Sequence, residues 1–400
     1  MKPIPFSPPD ITQAEIDAVA EVMRSGWITT GPRVMEFEKK IAEYCGTPGA
    51  VCLSSATAGL ELVLRLLDIG PGDEVITTPC TYAATANVIL HVGARPVFVD
   101  VGRGSFLIDP DAVAAAVTKR TKAVIPVDFG GWPADYRSIA LALDSRRKKY
   151  RPRKNSLQCL FDRPAVIADA AHSIGARCGG GMSGSLADFS VFSFHAVKNL
   201  TTAEGGAVTF GGGIGPHVPE MSRQLKLFSL HGQSKDALAK QRAGGWRYSI
   251  ELPGYKCNMT DIQAAMGLAQ LERYEREILP ARREIFTLYR SLLGEDTRLS
   301  LPLANKGEIE SSCHLYPVIV KGADEQRRDA VIERMAAQGI ACNVHFIPVV
   351  MHPAYTRLGY RMDDYPRCYE MFRAEISLPV YSRLLREDAR RVAETLRGCL

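Results

Sequence analysis

The sequence lacks clustered cysteines, long apolar runs and a large excess of either charge. Its ten cysteines form no Cys-x-x-Cys pairs, so we predict neither a disulfide framework nor a metal site. No stretch approaches the roughly 18 consecutive apolar residues of a membrane span, and no apolar segment near Met1 resembles a secretory signal. The net charge of +5 on 400 residues is small for a nucleic-acid footprint. We therefore expect a cytoplasmic protein that binds small anionic ligands and neither membrane nor nucleic acid.

What the sequence does contain is an alternation of apolar helices, Gly/Pro punctuation and short β-rich runs, which is typical of an α/β fold. A capping box, Thr12-x-x-Glu15, begins the first helix. At this length two domains are expected: a large domain, residues 1–275, around a mostly parallel sheet, and a smaller C-terminal α+β domain, residues 276–400. Predicted strands are 75–77, 96–99, 124–127, 165–168, 189–194, 207–210, 316–320 and 341–345, and predicted helices include 57–67, 85–90, 136–143, 328–338, a long one from Thr260 toward Leu288 and a closing one from Glu387.

A polar, strongly basic excursion at 145–160 interrupts this pattern, with Arg or Lys at seven of the ten positions from Ser145 to Lys154. It is either an anion or nucleic-acid patch, or a solvated helix end and loop whose cations complement the helix dipole. We favour the second interpretation. Its role is left open.

An aspartate and a lysine stand at the ends of two neighbouring predicted strands. Asp169 follows the buried run 165–168, where open α/β sheets bind ligands, and Lys198 follows the next strand. Pyridoxal 5′-phosphate (PLP) needs a lysine for a Schiff base and a carboxylate facing its pyridine nitrogen. At about 4 Å and an effective dielectric near 20, that carboxylate attracts the protonated nitrogen by about 4 kcal/mol. Taken singly, Asp169 could equally cap a helix and Lys198 could be solvated.

Three further segments fit the same chemistry, and each also has an ordinary structural interpretation. Ser54, Ser55 and Thr57 open an apolar helix, which makes either a phosphate cradle or a simple N-cap. Tyr82 follows a strand, where it could stack on a ring or belong to the core. A polar run around Asn258 precedes the helix from Thr260 and would alone pass as a cap.

Together these segments resemble the sugar aminotransferase family often called DegT/StrS, within the aspartate aminotransferase-like fold. The resemblance covers nearly the whole chain, from Gly26 to Tyr381. Its most specific part is Phe-Ser-Phe-His-Ala-Val-Lys-Asn at 192–199, followed by Ala-Glu-Gly-Gly at 203–206. It implies a three-layer, fold type I large domain, a PLP cofactor and a homodimer with shared active sites.

The resemblance also implies roles for individual residues. Lys198 would form the Schiff base, Asp169 would pair with the pyridine nitrogen and His172 would face the ring or its 3′-oxygen. Ser55, Ala56, Thr57 and Ser193 would hold the phosphate, Tyr82 would stack on the ring, Asn258 would reach the phosphate of the neighbouring subunit, and Trp27, Thr30, Tyr316 and His345 are candidate substrate contacts. His345 could equally be a structural histidine.

The expected activity is transfer of an amino group, by resemblance from L-glutamate, to a nucleotide-linked keto-sugar of surface polysaccharide, lipopolysaccharide or antibiotic biosynthesis. A PLP-dependent sugar dehydratase is one alternative, although such relatives replace the lysine or carry an iron–sulfur site. A regulatory or DNA-binding protein on the same fold, using the basic excursion, is another. An inactive homologue is the third, against which the intact Asp169, Ser193 and Lys198 argue.

Overall fold

The computed structural model describes residues 2–235 and 246–400, and a seven-stranded sheet lies at its centre. The first nine strands are β1 (Ala50–Leu53), β2 (Glu74–Thr77), β3 (Arg95–Phe98), β4 (Thr121–Val124), β5 (Ala165–Asp169), β6 (Arg177–Cys178), β7 (Gly181–Met182), β8 (Phe189–Ser193) and β9 (Gly206–Phe210). The short strands β6 and β7 belong to a small separate sheet, and the large sheet has the order β1-β9-β8-β5-β4-β2-β3.

The large sheet is mostly parallel, as predicted. Strands β3, β2, β4, β5 and β8 pair in parallel, and only β9 runs the other way, between β8 and β1. Because β5 and β8 are parallel neighbours, their carboxyl ends meet at the same edge of the sheet. The residues that follow Asp169 and Ser193 are thereby brought together.

Helices cover both faces of this sheet. They are α1 (Gln13–Ser25), α2 (Pro32–Cys45), α3 (Ala56–Leu66), α4 (Ala83–His91), α5 (Pro110–Ala116), α6 (Tyr136–Asp144) and α7 (Val218–Ser229). Successive residues of β5 point to opposite faces: Ile167 packs in a core with α3, α4 and α7, and Ala168 in a core with α2, α5 and α6. The result is the expected three-layer α/β architecture. Among the described helices, none is long and apolar enough to cross a membrane.

A long helical element links the sheet to the C-terminal part. Helix α8 (Asp261–Arg273) runs through a π-helical turn (Tyr274–Ile278) into α9 (Leu279–Leu293). The remaining strands are β10 (Leu299–Ser300), β11 (Asn305–Lys306), β12 (Ile309–Glu310), β13 (Tyr316–Val320) and β14 (Glu375–Leu378), and the remaining helices are α10 (Glu325–Ala337), α11 (Pro353–Thr356), α12 (Pro366–Ala374) and α13 (Arg386–Cys399). The sheet β10-β13-β14 has its own apolar core. The boundary predicted after residue 275 falls in the π turn and stays a prediction.

Two predicted strands are corrected by the structure. Residues 341–345 form only an isolated bridge, between Asn343 and Ser377, because the backbone N–H of His345 donates to the side chain of Glu375 instead of a strand carbonyl. The run 124–127 is a strand only up to Val124, since β4 covers Thr121–Val124. Pro126 has no N–H with which to extend the ladder.

The basic excursion packs against helix ends. Arg146 and Lys149 donate to the carbonyls of Ala114 and Val117 at the end of α5, at 3.1 Å and 2.9 Å. The buried Gln158 side chain donates to the carbonyl of Leu67, just after α3, at 2.8 Å. Cations and amides in these positions satisfy carbonyls that a helix leaves unpaired. This favours the structural interpretation of the excursion.

Candidate active site

A cavity of about 560 Å³ lies where β5 and β8 end. Two parts of the chain line it. We call the lining residues before 276 the N-terminal wall, which includes Ser55, Ala56, Thr57, Tyr82, Asp169, His172, Ser193 and Lys198. We call those from 314 to 352 the C-terminal wall, which includes His314, Asn343, His345, Phe346 and His352.

Asp169 is the last residue of β5 and is held in place by hydrogen bonds. The hydroxyl of Thr85 donates to its Oδ2 at 2.6 Å, and the backbone N–H of Ala171 donates to its Oδ1 at 3.3 Å. Burial raises the pKa of Asp169 above its usual range, while these bonds and the charge of Lys198 oppose the rise. A cationic partner in the cavity is what would keep this carboxylate ionised.

Lys198 lies in the turn after β8, where its backbone N–H donates to the carbonyl of His195 at 2.9 Å. Burial lowers the pKa of its amine to about 8, and the negative charge of Asp169 opposes that shift. About a tenth of the amine is therefore unprotonated at pH 7, far more than for an ordinary lysine. A neutral amine is the form that acts as nucleophile and base.

The first turn of α3 opens on the cavity. Ser55 is its N-cap and accepts the N–H of Ala58 at 3.1 Å, and Ala56 and Thr57 follow it. Gly206 of β9 makes the approach possible, because a Cβ there would lie 2.5 Å from the nitrogen of Ala56. A helix N-terminus at the edge of a cavity is suited to bind an anion such as phosphate.

His172 joins the two walls. The backbone N–H of Gly130 donates to its Nδ1 at 3.2 Å, so the neutral ring carries its proton on Nε2. Burial holds the pKa of the ring well below its usual value. Its centroid lies 4.3 Å from that of His314 and 5.8 Å from that of Phe346. Tyr82 completes this contact from an exposed position at the start of α4, 6.0 Å from Phe346, rather than in the core.

The C-terminal wall contains residues that sequence reasoning missed. His314 Nδ1 lies 2.8 Å from Oδ1 of Asn199, whose Nδ2 donates to the carbonyl of Ser312. Oδ1 can only accept, so Nδ1 of His314 donates. Burial lowers the pKa of His314 well below its usual value, which keeps the ring neutral. The available signal was weak: His314 precedes a predicted strand, and Asn199 follows the predicted lysine.

The structure brings His345 to the cavity but not the other three candidate substrate contacts. Tyr316 lies in the middle of β13, fully buried, with its ring 4.7 Å from Phe286 and 4.8 Å from Tyr289. It is a core aromatic, which corrects the prediction. Trp27 and Thr30 form a separate cluster with Asn258, whose Nδ2 donates to the hydroxyl of Thr30 at 2.6 Å. This cluster lies outside the lining of the chain's own cavity.

Comparisons with known proteins agree with this geometry. Residues 9–147 and 162–397 match the model of the DegT/DnrJ/EryC1/StrS aminotransferase family, and the unmatched stretch between them falls in the basic excursion. The chain is 38% identical to the spore coat polysaccharide biosynthesis protein SpsC of Bacillus subtilis, over 98% of this chain and 96% of that one. The PLP form of Spr1654 from Streptococcus pneumoniae, named as a sugar aminotransferase, has a TM-score of 0.95 and 43% identity over 100% of this chain and 98% of its own. DesI, solved with its TDP-sugar product, has a TM-score of 0.83 and 27% identity over 100% and 93%.

Proposed function

The chain belongs to the DegT/DnrJ/EryC1/StrS aminotransferase family and is a PLP-dependent sugar aminotransferase, and from this premise we propose that it moves the amino group of L-glutamate to a nucleotide-linked keto-sugar for a surface polysaccharide. One observation carries the proposal: Lys198, Asp169 and the first turn of α3 line a single cavity. The name of SpsC supports the polysaccharide, and the TDP-sugar of DesI supports the nucleotide-linked acceptor.

The residues present fit the cofactor. The first turn of α3 forms a cradle at the edge of the cavity, and Gly206 packs so closely behind it that a Cβ would clash with the backbone of Ser55 and Ala56. The hydroxyl residues Ser55, Thr57 and Ser193 line the same cavity. Asp169 is a buried acid whose pKa is raised by burial, so a nearby cation would be needed to keep its carboxylate ionised. We propose that the cradle holds the phosphate, that Asp169 keeps the pyridine nitrogen protonated and that Tyr82 and His172 pack against the ring.

In the reaction the chain's main task is to move protons. When bound, the cofactor supplies an electron-accepting pyridine ring. Lys198, more readily neutral than an ordinary lysine because burial lowers its pKa to about 8, takes the proton from the α-carbon of glutamate and later delivers one to the sugar carbon that receives the amine. Asp169 would face the pyridine nitrogen of the bound cofactor and keep it protonated, which is the state in which the ring accepts electrons.

We propose that residues of the C-terminal wall contact the sugar. His314 and His345 are both neutral, because burial lowers the pKa of His314 well below normal and that of His345 to about 3. Because Nδ1 of His314 already donates to Asn199, its Nε2 can only accept, which suits a sugar hydroxyl. His345 can offer either a donor or an acceptor, depending on which of its nitrogens carries the proton.

The cluster of Trp27, Thr30 and Asn258 suggests how two copies of the chain combine. Asn258 is hydrogen-bonded within this cluster and lies apart from its own cavity. Exposed apolar side chains lie nearby in sequence, including Ile28 and Met35, 51% and 62% exposed. We propose a homodimer in which this cluster reaches the cavity of the second copy, with Asn258 directed to its phosphate.

The function is tested by incubating the PLP holoenzyme with L-glutamate and UDP-, GDP- and dTDP-linked keto-sugars while following 2-oxoglutarate. We expect stoichiometric 2-oxoglutarate and amino-sugar with one of the nucleotides. If the holoenzyme aminated none of these keto-sugars, yet glutamate alone converted it to its pyridoxamine 5′-phosphate (PMP) form, the proposed acceptor class would be wrong.

Shared sites are tested by mixing two inactive variants, Lys198→Ala and Asn258→Ala. In a mixed dimer one site carries both defects and the other carries neither. After subunit exchange about a quarter of wild-type activity should return, because half of the dimers are mixed and each has one intact site. No recovery, despite mixed dimers in native mass spectra, would show that each site is built within one chain.

A further inference from the structure

A buried carboxyl group, that of Glu375, contacts His345 but does not line the cavity. Glu375 begins β14 and is fully buried, and its Oε1 lies 2.5 Å from Oγ of Ser377, a hydrogen bond in which either group can donate. Ser377 Oγ is in turn 2.8 Å from Nδ1 of His345. The second oxygen of Glu375, Oε2, accepts the backbone N–H of His345 at 2.8 Å. A continuous hydrogen-bonded chain therefore runs from Glu375 through Ser377 to a ring that lines the cavity.

The backbone holds this chain in register. Asn343 and Ser377 exchange two backbone hydrogen bonds, at 3.2 Å and 2.8 Å, so the loop carrying His345 is fastened to β14. The ring of His345 also stacks on Phe6, with centroids 5.5 Å apart. With Nδ1 engaged by Ser377, Nε2 is the nitrogen left for a ligand.

The protonation of Glu375 decides which nitrogen of His345 carries the proton. An ionised Glu375 can only accept, so it takes the hydroxyl proton of Ser377, and Ser377 must then accept from Nδ1. A protonated Glu375 donates from Oε1 to Ser377, since Oε2 already faces an N–H, and the hydroxyl of Ser377 then donates to Nδ1. In that state the ring proton sits on Nε2, at the cavity.

We propose that Glu375, acting through Ser377, places the ring proton of His345 on Nε2, so that His345 donates a hydrogen bond to an oxygen of the bound keto-sugar. Glu375 and Ser377 are positioning residues in this scheme, and His345 makes the contact. The assignment of the ligand rests on the proposed function, whereas the tautomer does not.

The groups around Glu375, Ser377 and His345 are consistent with a protonated Glu375. Burial raises the pKa of Glu375 to about 8, with opposing contributions from Ser377, the N–H of His345 and the guanidinium of Arg328 on α10. The carboxyl form therefore predominates at pH 7 and is lost as the pH rises through about 8. Other titratable groups facing these residues are Cys342, whose pKa burial raises to about 12, and Lys198, His172 and His314 around the ring of His345.

Binding of a keto-sugar in the absence of glutamate tests the proposal on the holoenzyme. UDP-, GDP- and dTDP-linked keto-sugars, which the PLP form cannot aminate without glutamate, are compared by calorimetry, and the one that binds best is the probe. Its keto oxygen can only accept, so it distinguishes a protonated Nε2 from an unprotonated one. From pH 7 to pH 9 we expect wild-type affinity to fall about fivefold, as for the loss of one neutral hydrogen bond. Glu375→Gln, whose amide donates permanently to Ser377, should keep its pH 7 affinity up to pH 9. Ser377→Ala should bind about fivefold more weakly at both pH values.

A matched control and a second measurement separate the alternatives. Glu370→Gln, on the exposed face of α12, should follow the wild type. If Glu375→Gln showed the same alkaline fall as the wild type, the titrating group would be Lys198 or another residue and the proposal would be overturned.

Nitrogen-15 NMR of histidine-labelled holoenzyme, with the His345 signal identified by its loss in His345→Gln, decides the tautomer without any sugar. We expect a protonated Nε2 at pH 7, a protonated Nδ1 at pH 9 and no exchange of tautomers in Glu375→Gln. A protonated Nδ1 at pH 7 would overturn the proposal even if a sugar binds. If none of the sugars binds while the tautomer is as expected, the nucleotide-sugar assignment fails and the positioning role of Glu375 stands.

Discussion

The two walls of the cavity are built in different ways. Residues of the N-terminal wall stand at strand ends and at a helix N-terminus, as Asp169 does after β5 and Ser55 before α3. Residues of the C-terminal wall depend on contacts between distant segments, as His314 does on Asn199 and His345 on Glu375. The first wall is therefore set by local sequence and sheet topology, and the second by long-range hydrogen bonds. If this difference in construction extends to function, residues of one wall should affect the glutamate half-reaction and residues of the other should affect the sugar half-reaction.

The largest effect is expected at Lys198. Lys198→Ala removes the amine that we propose binds the cofactor and moves both protons, so both half-reactions should slow by about 10⁴-fold or more. Single-turnover absorbance changes with glutamate and with sugar would measure it. The exposed Lys306→Ala serves as control. A variant that retained one half-reaction at a normal rate would show that another group moves that proton.

A smaller loss is expected at Asp169. Asp169→Asn keeps the shape and can still accept from Thr85, but it loses the negative charge opposite the pyridine nitrogen. We expect kcat to fall about a hundredfold, the equivalent of one charge-assisted hydrogen bond. Both half-reactions should slow alike. A loss confined to the sugar half would mean that Asp169 contacts substrate instead.

Much of the N-terminal wall could be predicted from sequence because its residues lie in short motifs. Asp169 and Lys198 each follow an apolar strand, and the parallel pairing of β5 with β8 brings them together. The exposed position of Tyr82, outside the core, needed the structure.

The C-terminal wall was largely out of reach of sequence reasoning. His314 and Phe346 belong to no periodic pattern, and a wrongly predicted strand at 341–345 hid the loop that carries His345. The backbone N–H of that residue goes to a side chain about thirty positions away, which no local rule detects. The prediction for Tyr316 was wrong because the residue belongs to a regular element: it lies within β13, which fixes its side chain in the core.

The pH dependence of cofactor uptake gives an effect of about one order of magnitude. The pKa of Lys198 is lowered from 10.5 to about 8, and only the neutral amine attacks an aldehyde. About a tenth of such an amine is neutral at pH 7 and about nine tenths at pH 9. The rate at which the cofactor-free protein acquires the PLP absorbance band should thus rise about ninefold and level off above pH 9. A rate still climbing steeply to pH 10 would indicate an amine with an ordinary pKa.

The smallest effect is expected at His314, and it should distinguish most clearly between the roles of the two walls. His314→Ala removes a ring whose centroid lies 4.3 Å from that of His172. We expect the KM for the nucleotide sugar to rise about fivefold, since one neutral hydrogen bond is lost. The glutamate half-reaction, measured alone by its absorbance change, should stay within about twofold. The exposed His217→Ala controls for loss of a histidine elsewhere. If the glutamate half slowed as much as the sugar half, the C-terminal wall would serve both, and the division between the walls would be one of construction and not of task.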